Sequence, residues 1–168
     1  MKLNLKTDNS KKIVEKIISS IKGKNILDVG CGNGYLLEKL RNKYPNYKLT
    51  GTEINISQLL NQKRKLNINI VKIDILNIDK LKIFYDTVIC THVLEHILDI
   101  RSAYLKLKKM CKKRLIIVCP KERPYKYTFN GHLHFFPYDF SLINTLLPEN
   151  KFKIMTLGRD FIFIEDLK

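Results

Sequence analysis

The chain has 168 residues, of which 45% are hydrophobic and 28% charged, and it carries a formal net charge of +15. This length fits one globular domain with its own core, and the composition excludes collagen-like, low-complexity and strongly disordered chains. The excess of cations invites a nucleic-acid or anionic-membrane partner. It is concentrated in two stretches, net +5 over residues 1–24 and net +9 over residues 101–126, so the rest of the chain is nearly neutral.

The four cysteines are far apart and form no C-x-x-C pair, so the sequence predicts no disulfide framework. Residues 1–9 alternate polar and apolar side chains and contain no apolar core of a signal peptide, and no apolar run is long enough to cross a bilayer. These features predict a protein of the reducing cytoplasm, without a membrane span.

Helical and strand-like hydrophobic patterns alternate along the chain. In chain order they predict a helix over 10–21, a strand over 25–29, a helix over 35–44, a strand over 48–53, a helix over 57–65, strands over 68–73 and 85–90, a helix over 102–112, a strand over 115–119, a helix over 138–147, and strands over 152–157 and 161–164. Such alternation is typical of a doubly wound α/β domain with a parallel sheet. The last two strands are joined by a short turn and should pair as an antiparallel hairpin. Ligands of such sheets bind beyond the carboxyl ends of the strands.

A glycine-rich turn follows the first predicted strand, in the stretch Asp28-Val-Gly-Cys-Gly-Asn-Gly34. Gly30, Gly32 and Gly34 let the chain turn sharply and let a ligand lie against bare backbone, and the N–H groups that begin the next helix point at that ligand. The spacing differs from the G-x-G-x-x-G of dinucleotide sites, and no Gly-Lys-Ser/Thr for a triphosphate is present. Asp28 suits a cation better than a phosphate.

The ends of the second and third predicted strands carry groups that fit one ligand. Glu53 comes 19 residues after Gly34, close to the spacing at which an acid binds ribose hydroxyls. Asp74 can accept a hydrogen bond from an exocyclic amine, while Ile54 and Ile75 can sandwich a flat ring. With the acid beside the glycine turn, these groups predict a cationic ligand that contains ribose and adenine, which is S-adenosylmethionine (SAM).

Several stretches resemble the successive motifs of the class I SAM-dependent methyltransferases: ILDVGCGNGY over 26–35, TEI over 52–54, KID over 72–74 and YDTVICTHVLEH over 85–96. The stretches GHLHFF over 131–136 and KFKI over 151–154 resemble the small methyltransferase-11-like branch. The resemblance implies a single Rossmann-like α/β domain over 1–168, with a seven-stranded sheet of order 3-2-1-4-5-7-6, the last strand antiparallel and helices on both faces. Within it, residues 1–24 hold an N-terminal helix and 120–137 a loop on the substrate side.

The same resemblance implies SAM as cofactor, S-adenosylhomocysteine as product, and a set of cofactor-binding residues. It assigns the ribose to Glu53, the adenine amine to Asp74 and the methionine side to residues 90–92. The full set predicted for the cofactor is Asp28, Gly30, Cys31, Gly32, Gly34, Tyr35, Glu53, Ile54, Asp74, Ile75, Cys90, Thr91 and His92.

All four histidines follow predicted strands at the carboxyl edge of the sheet. A hydroxyl or ammonium acceptor must lose a proton when it is methylated, so a base of near-neutral pKa helps. We predict His132 as this base, with His92 and His134 as the next candidates, and His96 as structural. His92, Glu95, His132 and His134 are metal-ligand types, but no tight pair of known spacing supports a metal site and none is predicted.

The acceptor side is predicted from the irregular segment 120–137, where cationic and aromatic side chains alternate. Lys121, Arg123, Tyr125 and Lys126 would bind an acceptor with an anionic part and a flat or sugar part. The fourth strand is not followed by the Asn/Asp-Pro-Pro-Tyr/Phe of amino-group methyltransferases. Three functions stay open: transfer to O or N of a small anionic metabolite, methylation of RNA or DNA, and a non-catalytic SAM-binding subunit.

Overall fold

A computed structural model describes residues 9–56, 59, 66–124 and 131–167. The helices and strands follow in this order: α1 (Lys11–Ser20), β1 (Asn25–Val29), α2 (Tyr35–Lys43), β2 (Lys48–Glu53), β3 (Asn69–Lys72), β4 (Tyr85–Thr91), α3 (Ile100–Met110), β5 (Cys111–Pro120), α4 (Asp139–Leu146), β6 (Phe152–Leu157) and β7 (Asp160–Asp166). Two 3-10 helices, Ile75–Leu81 and Leu94–His96, come after β3 and β4. In the described part of the chain, no helix is long and apolar enough to cross a membrane.

The seven strands form one sheet of order β3-β2-β1-β4-β5-β7-β6, which confirms the predicted α/β class and strand order. Strands β1 to β5 pair in parallel, and β7 runs antiparallel to both β5 and β6. The strand order reverses between β1 and β4, so a crevice opens at their carboxyl ends. This reversal places the residues after β1, β2 and β4 side by side.

Two apolar clusters cover the two faces of the sheet. Leu27, Val88 and Ile117 point into one cluster with α3 and α4, while Ile26, Ile89 and Ile116 point into the other with α1 and α2. Neighbouring residues of each strand therefore face opposite layers, as a sheet buried on both sides requires.

Two neighbouring predicted elements, the helix over 102–112 and the strand over 115–119, differ from the structure in their bounds. The helix predicted over 102–112 spans Ile100–Met110, and Lys112 and Lys113 lie in β5, which begins at Cys111. The register between β4 and β5 shifts between Tyr85 and Thr87, so the early part of β5 pairs irregularly. The helix predicted over 57–65 falls, apart from residue 59, outside the described residues.

One buried polar network joins α3 to β7. The carboxylate of Glu165 is fully buried and accepts hydrogen bonds from the Tyr104 hydroxyl at 2.5 Å and from Asn150 Nδ2 at 2.9 Å. Its Oε1 also lies 3.0 Å from Nζ of Lys108, whose side chain is 12% exposed. Part of the cationic helix face therefore neutralises a buried acid and is not a free surface.

Candidate functional site

A cavity of about 380 Å³ opens at the carboxyl edge of the sheet, above β1, β2 and β4. This volume lies within the range of small-molecule sites, roughly 300–1,000 Å³. Its walls come from the residues that follow these strands and from the start of α2: Asn9, Asp28, Val29, Gly30, Cys31, Gly32, Asn33, Tyr35, Leu36, Glu53, Ile54, Ile73, Ile75, Thr91, His92, Val93, His96 and Ile97.

The glycine turn after β1 forms the floor of the cavity. Gly30 and Gly32 both have positive φ, +68° and +52°. A Cβ on Gly30 would come within 2.3 Å of Val93 Cγ2, whereas a Cβ on Gly32 would meet no atom within 4 Å. Gly30 therefore allows close packing of two loops, while Gly32 leaves open space for a ligand. Gly34, also predicted to bind the cofactor, is instead the residue before α2 and is not part of the cavity wall.

Asp28 lies at the end of β1 and is only 1% exposed. Burial, followed by the negative charge of Glu53, raises the pKa of its carboxyl group from 3.8 to about 8. Among the described residues, its Oδ1 has no hydrogen-bond partner. A buried carboxyl group with an unsatisfied oxygen favours a cationic group of a ligand. Burial also raises the pKa of the neighbouring Cys31 thiol, so it stays neutral.

Glu53 ends β2 and connects this strand to the glycine turn. Its Oε2 accepts a hydrogen bond from the N–H of Gly32 at 2.9 Å, and its Oε1 accepts one from the N–H of Ile54 at 2.7 Å. The turn also continues the β1–β2 pairing, because Cys31 N–H donates to the Thr52 carbonyl at 2.9 Å. The carboxylate thus stands directly at the floor of the cavity.

The predicted adenine end is only partly reproduced. Ile54, 58% exposed, and the buried Ile75 both line the cavity, with Ile73 beside them. Asp74 does not line it: its Oδ1 accepts from the N–H of Leu76 at 2.7 Å and so caps the following 3-10 helix. Capping an N-terminus is a common alternative role of Asp.

The end of β4 brings Thr91 and His92 into the cavity wall, whereas Cys90 is fully buried beneath them. His92 has a positive φ of +52°, which is uncommon for a residue other than glycine. Its backbone N–H donates to the Val118 carbonyl, its Nδ1 lies 3.5 Å from Glu95 Oε1, and its Nε2 lies 3.8 Å from Asp160 Oδ1. The imidazole therefore stands between two carboxylates.

The other three histidines form a group beside this wall. His96 lines the cavity, and its Nδ1 lies 2.9 Å from the Gly131 carbonyl. His132 and His134 do not line it: Nδ1 of His132 bonds to Glu122, and Nε2 of His134 lies 2.9 Å from the Ile97 carbonyl. The structure thus places His92 and His96 at the cavity, and the predicted base His132 outside its wall, with its ring centroid 4.7 Å from that of His96.

Two of the four predicted acceptor-binding residues lie within the described part of the chain. Lys121 and Arg123 are exposed and outside the cavity wall. Lys121 Nζ stands 5.6 Å from the centre of the Phe161 ring, and Arg123 Nη2 donates to the Tyr138 hydroxyl at 3.3 Å. Tyr125 and Lys126 lie outside the described residues.

His96 was predicted to be structural, yet it lines the cavity. The wall residues that the sequence did not predict are Asn9, Val29, Asn33, Leu36, Ile73, Val93 and Ile97. Asn9 precedes α1 and its Nδ2 donates to Thr91 Oγ1 at 3.1 Å, a contact between distant segments that no local pattern predicts. The place of His96 at the cavity fits its position after β4, in the same stretch as His92.

Comparison with known proteins identifies the family. The family model described as "Methyltransferase domain" matches residues 27–114, just over half of the chain. The chain is 31% identical over 98 residues to malonyl-[acyl-carrier protein] O-methyltransferase of Bacillus cytotoxicus, which covers 57% of this chain and 34% of that protein. It is 33% identical over 93 residues to pavine N-methyltransferase of Thalictrum flavum, covering 52% and 25%. The chain thus spans about a quarter to a third of the length of these relatives.

The fold is also shared with solved structures. Magnesium protoporphyrin IX methyltransferase of Synechocystis with bound S-adenosylhomocysteine superposes with a TM-score of 0.71 and 17% identity, over 94% of this chain and 83% of that one. Together with the family match, this agreement confirms the resemblance to the class I SAM-dependent methyltransferases. The chain belongs to the family of the model described as "Methyltransferase domain", and its fold is that of the class I SAM-dependent methyltransferases.

Proposed function

We propose that this chain transfers the methyl group of SAM to an oxygen or nitrogen atom of a small, anionic metabolite. The observation that carries the proposal is the cavity itself. It joins an open backbone surface at Gly32, the buried carboxyl group of Asp28 and the carboxylate of Glu53 in one space.

The residues present fit the cofactor in three places. Asp28 offers an unsatisfied buried oxygen to a cationic amino acid end, and Glu53 has spare acceptor capacity for ribose hydroxyls, because each carboxylate oxygen accepts two hydrogen bonds. Ile54, Ile73 and Ile75 offer an apolar surface for adenine. Asp74 stays a prediction for the adenine amine, although its Oδ1 is already used as a helix cap.

When bound, the cofactor supplies a methyl group activated by a positively charged sulfur, and the protein mainly supplies orientation and a dry site. Thr91 and His92 form the wall nearest the end of β4. We propose that His92 accepts the proton that a hydroxyl or ammonium acceptor loses. Its position between Glu95 and Asp160 supports this role, because two carboxylates stabilise the imidazolium that results.

His132 and His134 stay predictions as alternative bases. The comparison of single variants decides among them: we expect His92→Asn to lower turnover by about a hundredfold or more and to leave S-adenosylhomocysteine affinity nearly unchanged. Asn is a suitable replacement because it tolerates positive φ. An unchanged turnover in His92→Asn, with a loss in His132→Ala, would move the role to His132.

The acceptor is proposed from the surroundings of the cavity. The exposed side chains of Lys121 and Arg123 follow β5 and favour an anionic acceptor. The relatives are named as an O-methyltransferase and an N-methyltransferase, so either atom is consistent with the family. All four cysteines are buried thiols, which supports the predicted reducing, cytoplasmic setting.

The proposal is tested in two steps. Calorimetry with SAM and S-adenosylhomocysteine measures cofactor binding, and absence of binding would reject the proposal. A screen of phosphorylated sugars, nucleotide-linked sugars and aromatic acids, monitored by release of S-adenosylhomocysteine, then identifies the acceptor. Methyl transfer by the isolated chain would exclude a non-catalytic subunit.

Methylation of RNA or DNA is the second candidate, and the net charge of +15 favours it. It predicts tight binding to nucleic acid that weakens steeply with salt. A gel-shift series across ionic strength separates the two, because a metabolite enzyme should bind nucleic acid only weakly and without sequence preference.

A further inference from the structure

A cluster of metal-ligand side chains lies beside the cavity and includes Glu95, the neighbour of the proposed base His92. Glu95 and His96 come from the 3-10 helix Leu94–His96, and His132 comes from the segment after β5. One ligand atom of each lies within 4.8 Å of the other two. We propose that Glu95, His96 and His132 form a binding site for a divalent transition-metal ion, Zn²⁺ in the first place.

The carboxylate of Glu95 is the strongest indication. Its side chain is completely buried, and among the described residues neither oxygen has a hydrogen-bond partner. The imidazole of His92 faces this carboxylate, and its Nδ1 lies 3.5 Å from Oε1. A buried carboxylate without hydrogen bonds is costly unless it is paired with a charge or coordinates a metal. A bound cation at this place removes that cost.

The two imidazoles are held in the tautomer that binds metals. Nδ1 of His96 lies 2.9 Å from the Gly131 carbonyl, which can only accept, so Nδ1 carries the hydrogen and Nε2 the lone pair. Nδ1 of His132 bonds to the carboxylate of Glu122, which gives the same tautomer. A ligating histidine characteristically donates its other N–H to a carbonyl or carboxylate in this way.

The ring geometry is close to that of two imidazoles on one ion. The ring centroids of His96 and His132 are 4.7 Å apart, with an interplanar angle of 75°. For Zn–N distances of 2.0–2.1 Å and a near-tetrahedral angle, the two ring centres lie roughly 5 Å apart. Only small side-chain shifts are therefore needed to complete the site.

Backbone hydrogen bonds hold the two segments together independently of any ion. The Glu95 carbonyl accepts from the N–H of Leu133 at 2.7 Å and from the N–H of His134 at 3.1 Å. This pair of bonds fixes the segment that carries His132 against the 3-10 helix that carries Glu95 and His96. The ligands are thus preorganised, which reduces the entropy lost when an ion binds.

The donor set decides the kind of ion. Two imidazole nitrogens and one carboxylate oxygen suit Zn²⁺ and neighbouring first-row ions, whereas Mg²⁺ and Ca²⁺ prefer oxygen ligands alone. Three protein ligands leave an open position, and His96 also lines the cavity. A role of the ion in orienting an acceptor oxygen would depend on the proposed methyl transfer. Binding of the ion itself does not depend on it.

The test uses the full chain, freed of metal with a chelator and titrated with Zn²⁺ by calorimetry and with Co²⁺ by visible absorption. We expect one ion per chain, with affinity lowered at least about tenfold in Glu95→Gln and in His132→Asn, and also in the supporting variant Glu122→Gln. His134→Asn is the matched control, because its imidazole faces backbone carbonyls, and its affinity should be unchanged.

Thermal unfolding provides a second readout that does not depend on activity. Glu95→Gln removes a buried charge with little change of shape, so we expect it to fold without metal. Zn²⁺ should raise the Tm of the wild-type chain and of His134→Asn but not that of Glu95→Gln. The proposal is overturned if the wild-type chain binds no ion, if Glu95→Gln and His132→Asn bind it as tightly as the wild type, or if Co²⁺ gives thiolate charge-transfer bands that indicate a cysteine site.

Discussion

The carboxylate of Glu53 accepts a 2.9 Å hydrogen bond from the backbone N–H of Gly32, and so joins the end of β2 to the glycine turn after β1. The acid predicted to bind ribose therefore also supports the turn against which the cofactor would lie. Its loss should affect the cavity in two ways at once, through a missing acceptor and through a less ordered turn.

We expect Glu53→Ala to weaken binding of S-adenosylhomocysteine by at least about tenfold, the effect of losing one or two charge-assisted hydrogen bonds. Glu53→Gln keeps one acceptor oxygen and should lose less. Calorimetry measures both. Glu15→Ala is the control, because Glu15 is an exposed acid of α1 that faces Lys11 in a long ion pair, at 3.9 Å. Equal affinity of Glu53→Ala and the wild type for S-adenosylhomocysteine would show that Glu53 does not bind the ligand.

Asp28 should make stability depend on pH. Its pKa is raised to about 8 in the folded chain, whereas the unfolded carboxyl ionises near pH 4. Between these values the folded state holds the extra proton, so the free energy of unfolding falls as pH rises, by up to about 1.4 kcal/mol per pH unit. Asp28→Asn cannot ionise and should flatten the profile between pH 5 and 8 in denaturant titrations. Identical slopes in the two proteins would contradict the raised pKa.

Binding of a cationic ligand beside Asp28 should release the same proton. The positive charge favours the ionised carboxylate, so SAM affinity should rise with pH up to about 8. Calorimetry in two buffers of different ionisation enthalpy counts the protons released. The wild type should release more than Asp28→Asn, which also corrects for the ligand's own titration.

A comparison of Gly32 with Gly158 can separate the cost of backbone strain from the loss of space for a ligand. Gly32 and Gly158 have φ of +52° and +66°, and a Cβ on either would meet no atom within 4 Å. Alanine at either position should therefore cost a similar free energy of unfolding, about 1 kcal/mol, from the left-handed backbone alone. Only Gly32→Ala places a methyl group in the cavity, so only this variant should lose S-adenosylhomocysteine affinity, by about tenfold or more. Equal affinity of the two variants would show that the ligand lies elsewhere.

The buried network around Glu165 should contribute strongly to the free energy of unfolding. Glu165→Ala leaves the ammonium of Lys108 without its partner at 3.0 Å and removes the acceptor of the Tyr104 hydroxyl, so we expect a loss of about 3–5 kcal/mol in denaturant unfolding. Glu149→Ala is the matched control, because this 75% exposed acid faces the same lysine at 3.8 Å and should cost under about 1 kcal/mol. Equal losses of the free energy of unfolding in the two variants would contradict a stabilising role of the buried Glu165 network.

The fold was largely predictable because both faces of the sheet are covered, which imposes continuous apolar strands and regular helices. The predicted bounds of helices and strands differ from the structure where this pattern of burial ends. Nothing in the sequence separates Met110 from Cys111, where α3 passes directly into β5. The cationic start of β5 resembles the helix before it, because exposed lysines suit either structure.

The site was predictable where strand ends meet and unpredictable where loops cross. Glu53, Gly32 and His92 are brought together because parallel strands end at one edge. Asp74 does not line the cavity and accepts a hydrogen bond from the N–H of Leu76, two residues away, which the strand pattern does not indicate. The pairing of Glu122 with His132 depends on the path of the loop after β5, and no periodicity records that path.

The two main-chain hydrogen bonds at the Glu95 carbonyl allow the side chains of the neighbouring loop to vary. Because Leu133 and His134 are held through main-chain N–H groups, the position of this loop end does not depend on which side chains occupy 132–134. Substitutions at 132–134 can therefore change the side chains beside the cavity without moving the backbone that carries them. Changes of single side chains at 132–134 can therefore alter the proposed acceptor binding and the proposed metal site without a change of the fold.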